Sequence, residues 1–306
     1  MQAASTGKGV VATSSERDWR TFAPLASVLI WTGNAIVTKA AASVIEPASI
    51  TFYRWGLAFL VLAPFVGPSL WPRREVVWAH AVKLAVLGVL GMGLYQGLAY
   101  VAARTTSAVD IGVLLGLMPL TTGVVAALIA GEPLSRRAIA GLLVSLVGFL
   151  IVSGKGDPLA WVHGPQWGDA IMLIAVTSNA VYGSLVRRWA IPLTVWQQLL
   201  AQIGLSLPLL AIVWLVYPVT PVTAANAPLI LYAGLPASIG APLFWLIGVK
   251  RLGAARTALF INLLPFSIAL AAWGLLGDRP HGYHLIGAVV ALAGVALAAS
   301  GARRGA

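Results

Sequence analysis

The sequence predicts an all-α integral membrane protein of ten transmembrane helices, arranged as two inverted five-helix repeats. Three observations predict it: a composition unlike that of soluble domains, ten apolar runs whose basic flanks fall on one side, and a self-similarity at a shift of 145 or 146 residues. Of the 306 residues, 59% are apolar and 9% charged, against roughly 45–50% and about 25% in a soluble domain. So few charges cannot cover a water-exposed surface. The net charge of +11 would suggest nucleic acid in a soluble protein; here it is read by its position along a membrane, and no nucleic-acid partner is expected. There is no cysteine, which excludes disulfides, thiolate metal sites and cysteine nucleophiles.

The element list follows from length. Roughly 20 apolar residues cross about 30 Å of hydrocarbon at 1.5 Å per residue, and such runs lie at 22–43, 48–66, 82–103, 107–130, 135–154, 167–188, 194–216, 229–249, 254–276 and 282–301. The connections are too short to fold a domain outside the bilayer. Residues 1–21 are small, polar and basic with no apolar h-region, so they read as a mobile cytoplasmic tail and not a signal peptide, with 302–306 as a second tail. With the N-terminus inside, fifteen of the twenty Lys and Arg fall on the inner side and only Arg104, Lys155 and Arg279 in outer loops. That bias sets both termini in the cytoplasm. Trp19, Trp71, Trp78, Trp161, Trp167, Trp189 and Trp196 sit at span ends, as headgroup-level anchors do.

The repeats are read as 22–154 and 155–301. In register, Thr32-Gly33-Asn34-Ala35 meets Thr177-Ser178-Asn179-Ala180, Pro47 meets Pro192, Pro119 meets Pro265, and Gly131-Glu132 meets Gly277-Asp278. Gly141 and Gly148 meet Gly287 and Gly294. An odd number of spans per copy makes the second enter the bilayer from the opposite side, the architecture of secondary transporters.

Polar side chains within spans are costly unless they meet a partner or a water-filled cavity, which makes them the candidate site. In the first span Trp31, Asn34 and Thr38 share a face at i, i+3 and i+7, and in the sixth Asn179 and Tyr182 share one. Each asparagine either lines a cavity or bonds a neighbouring helix backbone. Tyr95 and Gln96 in the third span, Trp245 in the eighth and Asn262 in the ninth lie away from the aromatic belts, and an aromatic with one hydrogen-bonding atom suits a ligand part apolar and part polar. Lys39 and Arg54 lie about a turn inside the outer ends of the first two spans, either snorkelling to headgroups or favouring a substrate carboxylate. Pro119 and Pro265 each break a helix at the same point of the fourth and ninth spans, as hinges or as static kinks. The Gly141/Gly148 and Gly287/Gly294 pairs, continued by Ser145 and Ala291, form small-residue stripes suited to close helix packing.

These residues resemble the EamA family of the drug/metabolite transporter superfamily over 22–301. The resemblance is carried by Ile30-Trp31-Thr32-Gly33-Asn34 with Lys39, Pro47 with Arg54, Thr106-Ser107-Ala108, Pro119, the Gly131-Glu132-Pro133-Leu134 turn and Gly141 with Gly148. The second copy departs from the pattern, with Leu199 in place of Arg54 and Gly277-Asp278-Arg279-Pro280 at the turn. What the resemblance implies is export of small metabolites, amino acids first among them, from a bacterial inner membrane. It also implies a central cavity lined chiefly by the first, third, fourth, sixth, eighth and ninth spans, with the fifth and tenth peripheral. The expected partners are a small-molecule substrate and the lipid bilayer, the working unit a monomer, with no cofactor and no metal.

No carboxylate falls mid-span: Glu46, Asp110, Glu132, Asp157, Asp169 and Asp278 lie at ends or in loops. This argues against an organic-cation/proton antiporter and for a zwitterionic or weakly anionic metabolite moved down its gradient or by exchange. Hydrolase and zinc-protease motifs are absent, and Gly154-Lys155-Gly156 lacks the rest of a phosphate loop. His281 and His284, at i and i+3 in a short outer connection, read as a solvated turn, with metal ligation as the alternative. An intramembrane enzyme or a flippase of lipid-linked substrates is the alternative.

Overall fold

The computed structural model describes residues 19–131, 134–157, 160 and 167–302. Most of the N-terminal tail, Glu132 and Pro133 of the turn, Trp161, Arg303 and Arg304 lie outside the described residues. Those described are helical, without strands. In chain order they form α1 (Ala23–Ala41), α2 (Pro47–Ala79), α3 (Ala81–Ala102), α4 (Ala108–Leu115), α5 (Met118–Ala130), α6 (Arg136–Ser153), α7 (Trp167–Trp189), α8 (Val195–Val216), α9 (Ala227–Leu252), α10 (Arg256–Leu276) and α11 (Gly282–Ala302). Seven of them, α2, α3 and α6 to α10, are long and apolar enough to cross a membrane, and α4 with α5 makes an eighth span bent by 43°. Of the other two, α1 has 19 residues but carries Thr32, Asn34, Thr38 and Lys39. The apolar part of α11 is Gly282–Ala298.

Two boundaries differ from the sequence expectation. The second span does not end near 66: Pro47–Leu70 passes through a 3-10 turn, Trp71–Arg73, into Arg74–Ala79. Pro72 stands at the first turn of the 3-10 segment, where its missing N–H deprives no helical partner. Nor do the two hinge candidates interrupt a continuous helix. Pro119 and Pro265 each stand in the first turn of a new helix, Met118–Ala130 and Leu264–Leu276. The break lies just upstream, at Gly116–Leu117 in one case and in the 3-10 turn Leu259–Leu263 in the other.

The repeat expected from sequence reappears in these irregularities. A π segment, Val89–Tyr95, interrupts α3, and another, Ala233–Gly240, interrupts α9 at the corresponding place. The helices ahead of the two turns end on Gly131 and Gly277 with φ of 72° and 70°, a left-handed conformation that glycine adopts without a Cβ penalty. The glycine stripes meet as expected: α6 packs along α11, and Ser145 donates to the Ala291 carbonyl at 2.9 Å. A Cβ added to Gly148 would stand 2.5 Å from the Ala291 backbone nitrogen, so the seam exists only because that side chain is missing.

Candidate functional site

The π segments prepare the centre of the molecule. Widening a helix to i→i+5 frees carbonyls and turns side chains off the α-helical face. In α3 the freed carbonyls are used: Trp55 donates to Met92 O at 3.2 Å and Ser178 to Leu90 O at 2.9 Å. The widened turn delivers Tyr95 and Gln96 inward. In α9, Pro236 sits inside the widened turn, and Ser238 returns its hydroxyl to the Ala233 carbonyl five residues back at 2.7 Å.

Between these elements lies a cavity of about 290 Å³, lined from α1 by Trp31, Asn34 and Thr38, from α3 by Tyr95 and Gln96, and from the second half by Met172, Asn179 and Trp245, among others. Every span expected to line it does so, and α2 joins through Arg54. Arg54 is 1% exposed, so it does not snorkel to a headgroup. Its guanidinium donates to Gln96 Oε1 at 2.9 Å, Tyr100 Oη at 3.0 Å and Ser238 Oγ at 2.9 Å, and it lies over the rings of Trp55 and Tyr100. These partners are neutral, no ion pair reaches Arg54 among the described residues, and its Nε has no acceptor. Asn34 Oδ1, buried and also at the cavity, has no donor. Trp31 and Trp245 face each other across the halves with centroids 5.4 Å apart. The wall therefore holds one uncompensated cation, one acceptor without a donor and an aromatic pair.

Three expected site residues fall elsewhere. Tyr182 packs against the bare side of Gly91, and its hydroxyl donates to Gln202 Oε1 at 3.2 Å; one step round the helix from Asn179 faces a neighbouring helix. Asn262 is exposed on the 3-10 turn, where the tighter winding hands the lining position to Ile261. Lys39 lies beyond the cavity, donating to the Ala103 and Thr106 carbonyls at 2.8 and 2.6 Å, where its charge complements the C-terminus of α3.

At that same end the carboxylates are at span ends, as expected, but two are buried. Asp110 and Asp169 are each 5% exposed. Asp169 accepts from Thr106 and from Ser153, the latter at 2.5 Å. His284 is not in a solvated turn: it is 5% exposed, its Nδ1 accepts from the His281 N–H at 2.8 Å, and its Nε2 meets Asp110 Oδ1 at 3.1 Å. That tautomer leaves Nε2 as the donor. Asp278 accepts from the Ala108 and Val109 N–H groups at the start of α4. His284 and Asp278 thus tie the second half to α4, whose Ile111 and Leu115 line the cavity.

Comparison with known proteins agrees with a helical bundle of two like halves. The sequence profile of the EamA-like transporter family matches twice, over residues 19–154 and 166–300. The chain belongs to this family. EamA-like relatives include a Bacillus subtilis protein named uncharacterized transporter YyaM, 27% identical over 85% of this chain and 86% of its own. Another, from Streptantibioticus cattleyicolor, is named a probable terminal-alkyne amino-acid exporter and is 27% identical over 82% of this chain and 83% of its own. A crystal structure with 23% identity superposes with a TM-score of 0.56 over 94% of this chain and all of that one, which supports the fold. As an EamA-like protein, this chain is a multi-pass membrane protein of a transporter family.

Proposed function

We propose that this EamA-like protein exports amino acids, aromatic or otherwise amphipathic, by alternating access around the central cavity. In this reading α1 and α11 join the eight clear spans to make ten, the halves 22–154 and 155–301 are inverted, and both termini lie in the cytoplasm of a bacterium. The observation that carries it is Arg54. A buried charge is costly unless an opposite charge compensates it, and this one is held without an anion. A substrate carboxylate supplies the missing charge beside the guanidinium, whose Nε has no acceptor, and the same substrate's ammonium supplies the donor that Asn34 Oδ1 lacks. Its side chain then meets Trp31 and Trp245. The cavity lies at the small end of the roughly 300–1,000 Å³ of ligand pockets, the scale of one amino acid. A relative named as an amino-acid exporter supports the same class.

The test is transport in liposomes loaded with aromatic and aliphatic amino acids, nucleosides or quaternary amines, with and without a pH gradient. Release of amino acids unchanged, favouring the aromatic ones, is expected. A preference for permanent cations would refute the carboxylate anchor, and chemical conversion of the load would favour the enzyme alternative.

A further inference from the structure

A second cavity, of about 340 Å³, shares no lining residue with the central one. It lies between two helix faces with matching periodicity: Ala126, Ile129 and Ala130 of α5 oppose Ser184, Arg187 and Arg188 of α7, each set at i, i+3 and i+4. The α5 wall is apolar. The α7 wall is basic, with both arginines exposed in the last turn of the helix, and no carboxylate lines the cavity among the described residues.

Ser184 points to a ligand. The hydroxyls of the helix threonines Thr32, Thr38, Thr51 and Thr177 return to the carbonyl four residues back, and the helix serines Ser145 and Ser178 donate to a carbonyl of a neighbouring helix. Ser184 is 4% exposed and lines the cavity, yet its hydroxyl has no partner. Arg188 donates to the Ile129 carbonyl in the last turn of α5, which holds its guanidinium at the mouth. Trp189, next in the chain, has Lys83 Nζ 5.9 Å from its ring, the pairing of aromatic and cation found at headgroup depth.

We propose that this cavity binds the phosphate of an anionic phospholipid. The arginines take the phosphate oxygens, the guanidinium fork matching two at once. Ser184 Oγ donates one further hydrogen bond, and an acyl chain runs along Ala126 and Ile129. Basic pockets between membrane helices recognise headgroups by this chemistry. A free phosphate shares the charge and the hydrogen bonds but has nothing to set against the apolar wall. The consequence is mechanical: α5 is the segment beyond the 43° bend, and α7 belongs to the other half, so a bound lipid joins the bent segment to its neighbour.

The test uses the full chain in a neutral detergent, with phosphatidylglycerol, phosphatidylcholine or inorganic phosphate added, read by thermal unfolding and by native mass spectrometry. Phosphatidylglycerol should raise the melting temperature and remain bound to the wild type, with the other two inactive. In an Arg187→Gln/Arg188→Gln variant its apparent affinity should fall at least about tenfold, as expected for losing charge-assisted hydrogen bonds. Ser184→Ala, which keeps both charges, should weaken it by a smaller factor and so guards against a double variant that merely folds poorly. Equal retention of phosphatidylglycerol by the wild type and both variants would overturn the site. Stabilisation by inorganic phosphate alone would overturn the lipid assignment.

Discussion

In the first half of the molecule the π segment of α3 turns Tyr95 and Gln96 into the cavity, and in the second half that of α9 turns in Ala237 and sets Ser238 against Arg54. The backbone device is the same and the chemistry it delivers is not. The first half supplies Asn34, Thr38, Arg54, Tyr95 and Gln96 to the wall, while the second supplies Met172, Asn179, Ala237 and Leu264. Where α2 carries Arg54, the register puts Leu199 in α8, packed in an apolar cluster with Trp55, Leu200 and Ile203. The backbone irregularities are kept in both copies while the buried charge stands in one, which fits the proposed reading, where one substrate carboxylate needs one guanidinium.

The largest expected effect comes from making the halves alike at that position. Arg54→Leu removes the cation, and truncating one partner of a buried charge pair costs about 2–5 kcal/mol, so transport of an aromatic amino acid should fall roughly thirtyfold or more. Flux of the corresponding aromatic amine, which has no carboxylate, should not fall with it. Loss of both together, alongside a lower melting temperature, would mean that Arg54 serves only to bridge Gln96, Tyr100 and Ser238.

Next is the α6–α11 seam, where both halves contribute glycine. Gly148→Ala drives a Cβ into the Ala291 backbone and should destabilise by about 1–3 kcal/mol, seen as a lower melting temperature. Gly123→Ala in α5 has open space and should be neutral or stabilising, since alanine is the better helix former by about 1 kcal/mol. Equal responses at the two positions would remove close packing as the reason for the stripe.

The asparagines are a finer comparison, since both line the cavity but only Asn34 has a buried oxygen without a donor. Asn34→Ala should lower transport about tenfold, the scale of one hydrogen bond to a charged group, and Asn179→Ala less, with little change in melting temperature for either. A larger effect at Asn179 would move the ammonium site to the second half.

Eight of the expected spans, the repeat and the glycine seam were legible in the sequence because each is a signal that adds up over many residues. The positions of Tyr182 and Asn262 were not, and for Arg54 the sequence left snorkelling and a cavity role both open. Which side of a span a residue faces depends on the rotation of the helix about its axis, which hydropathy does not report, and at Asn262 the 3-10 turn Leu259–Leu263 shifts that rotation further. The Asp110–His284 pair was hidden differently: its members are 174 residues apart, and each taken alone reads as an end-of-helix polar residue.

The smallest effect concerns the contact between Asp278 and the start of α4. The start of α4 has its own capping box, Ser107 with Asp110, which satisfies the N–H groups of Ser107 and Asp110. The intervening N–H groups of Ala108 and Val109 are left to Asp278, at 2.9 and 3.3 Å, from the other half. Asp278→Ala should therefore cost about 1 kcal/mol, the usual worth of an N-terminal cap, read as a modest drop in melting temperature and as faster hydrogen exchange at Ala108 and Val109. Asp278→Asn keeps an acceptor and gives up only the charge facing the helix N-terminus, so its cost should be about 0.3–1 kcal/mol. If the alanine variant exchanges no faster at those two amides, then the capping box alone holds α4 and Asp278 is not the tie between the halves.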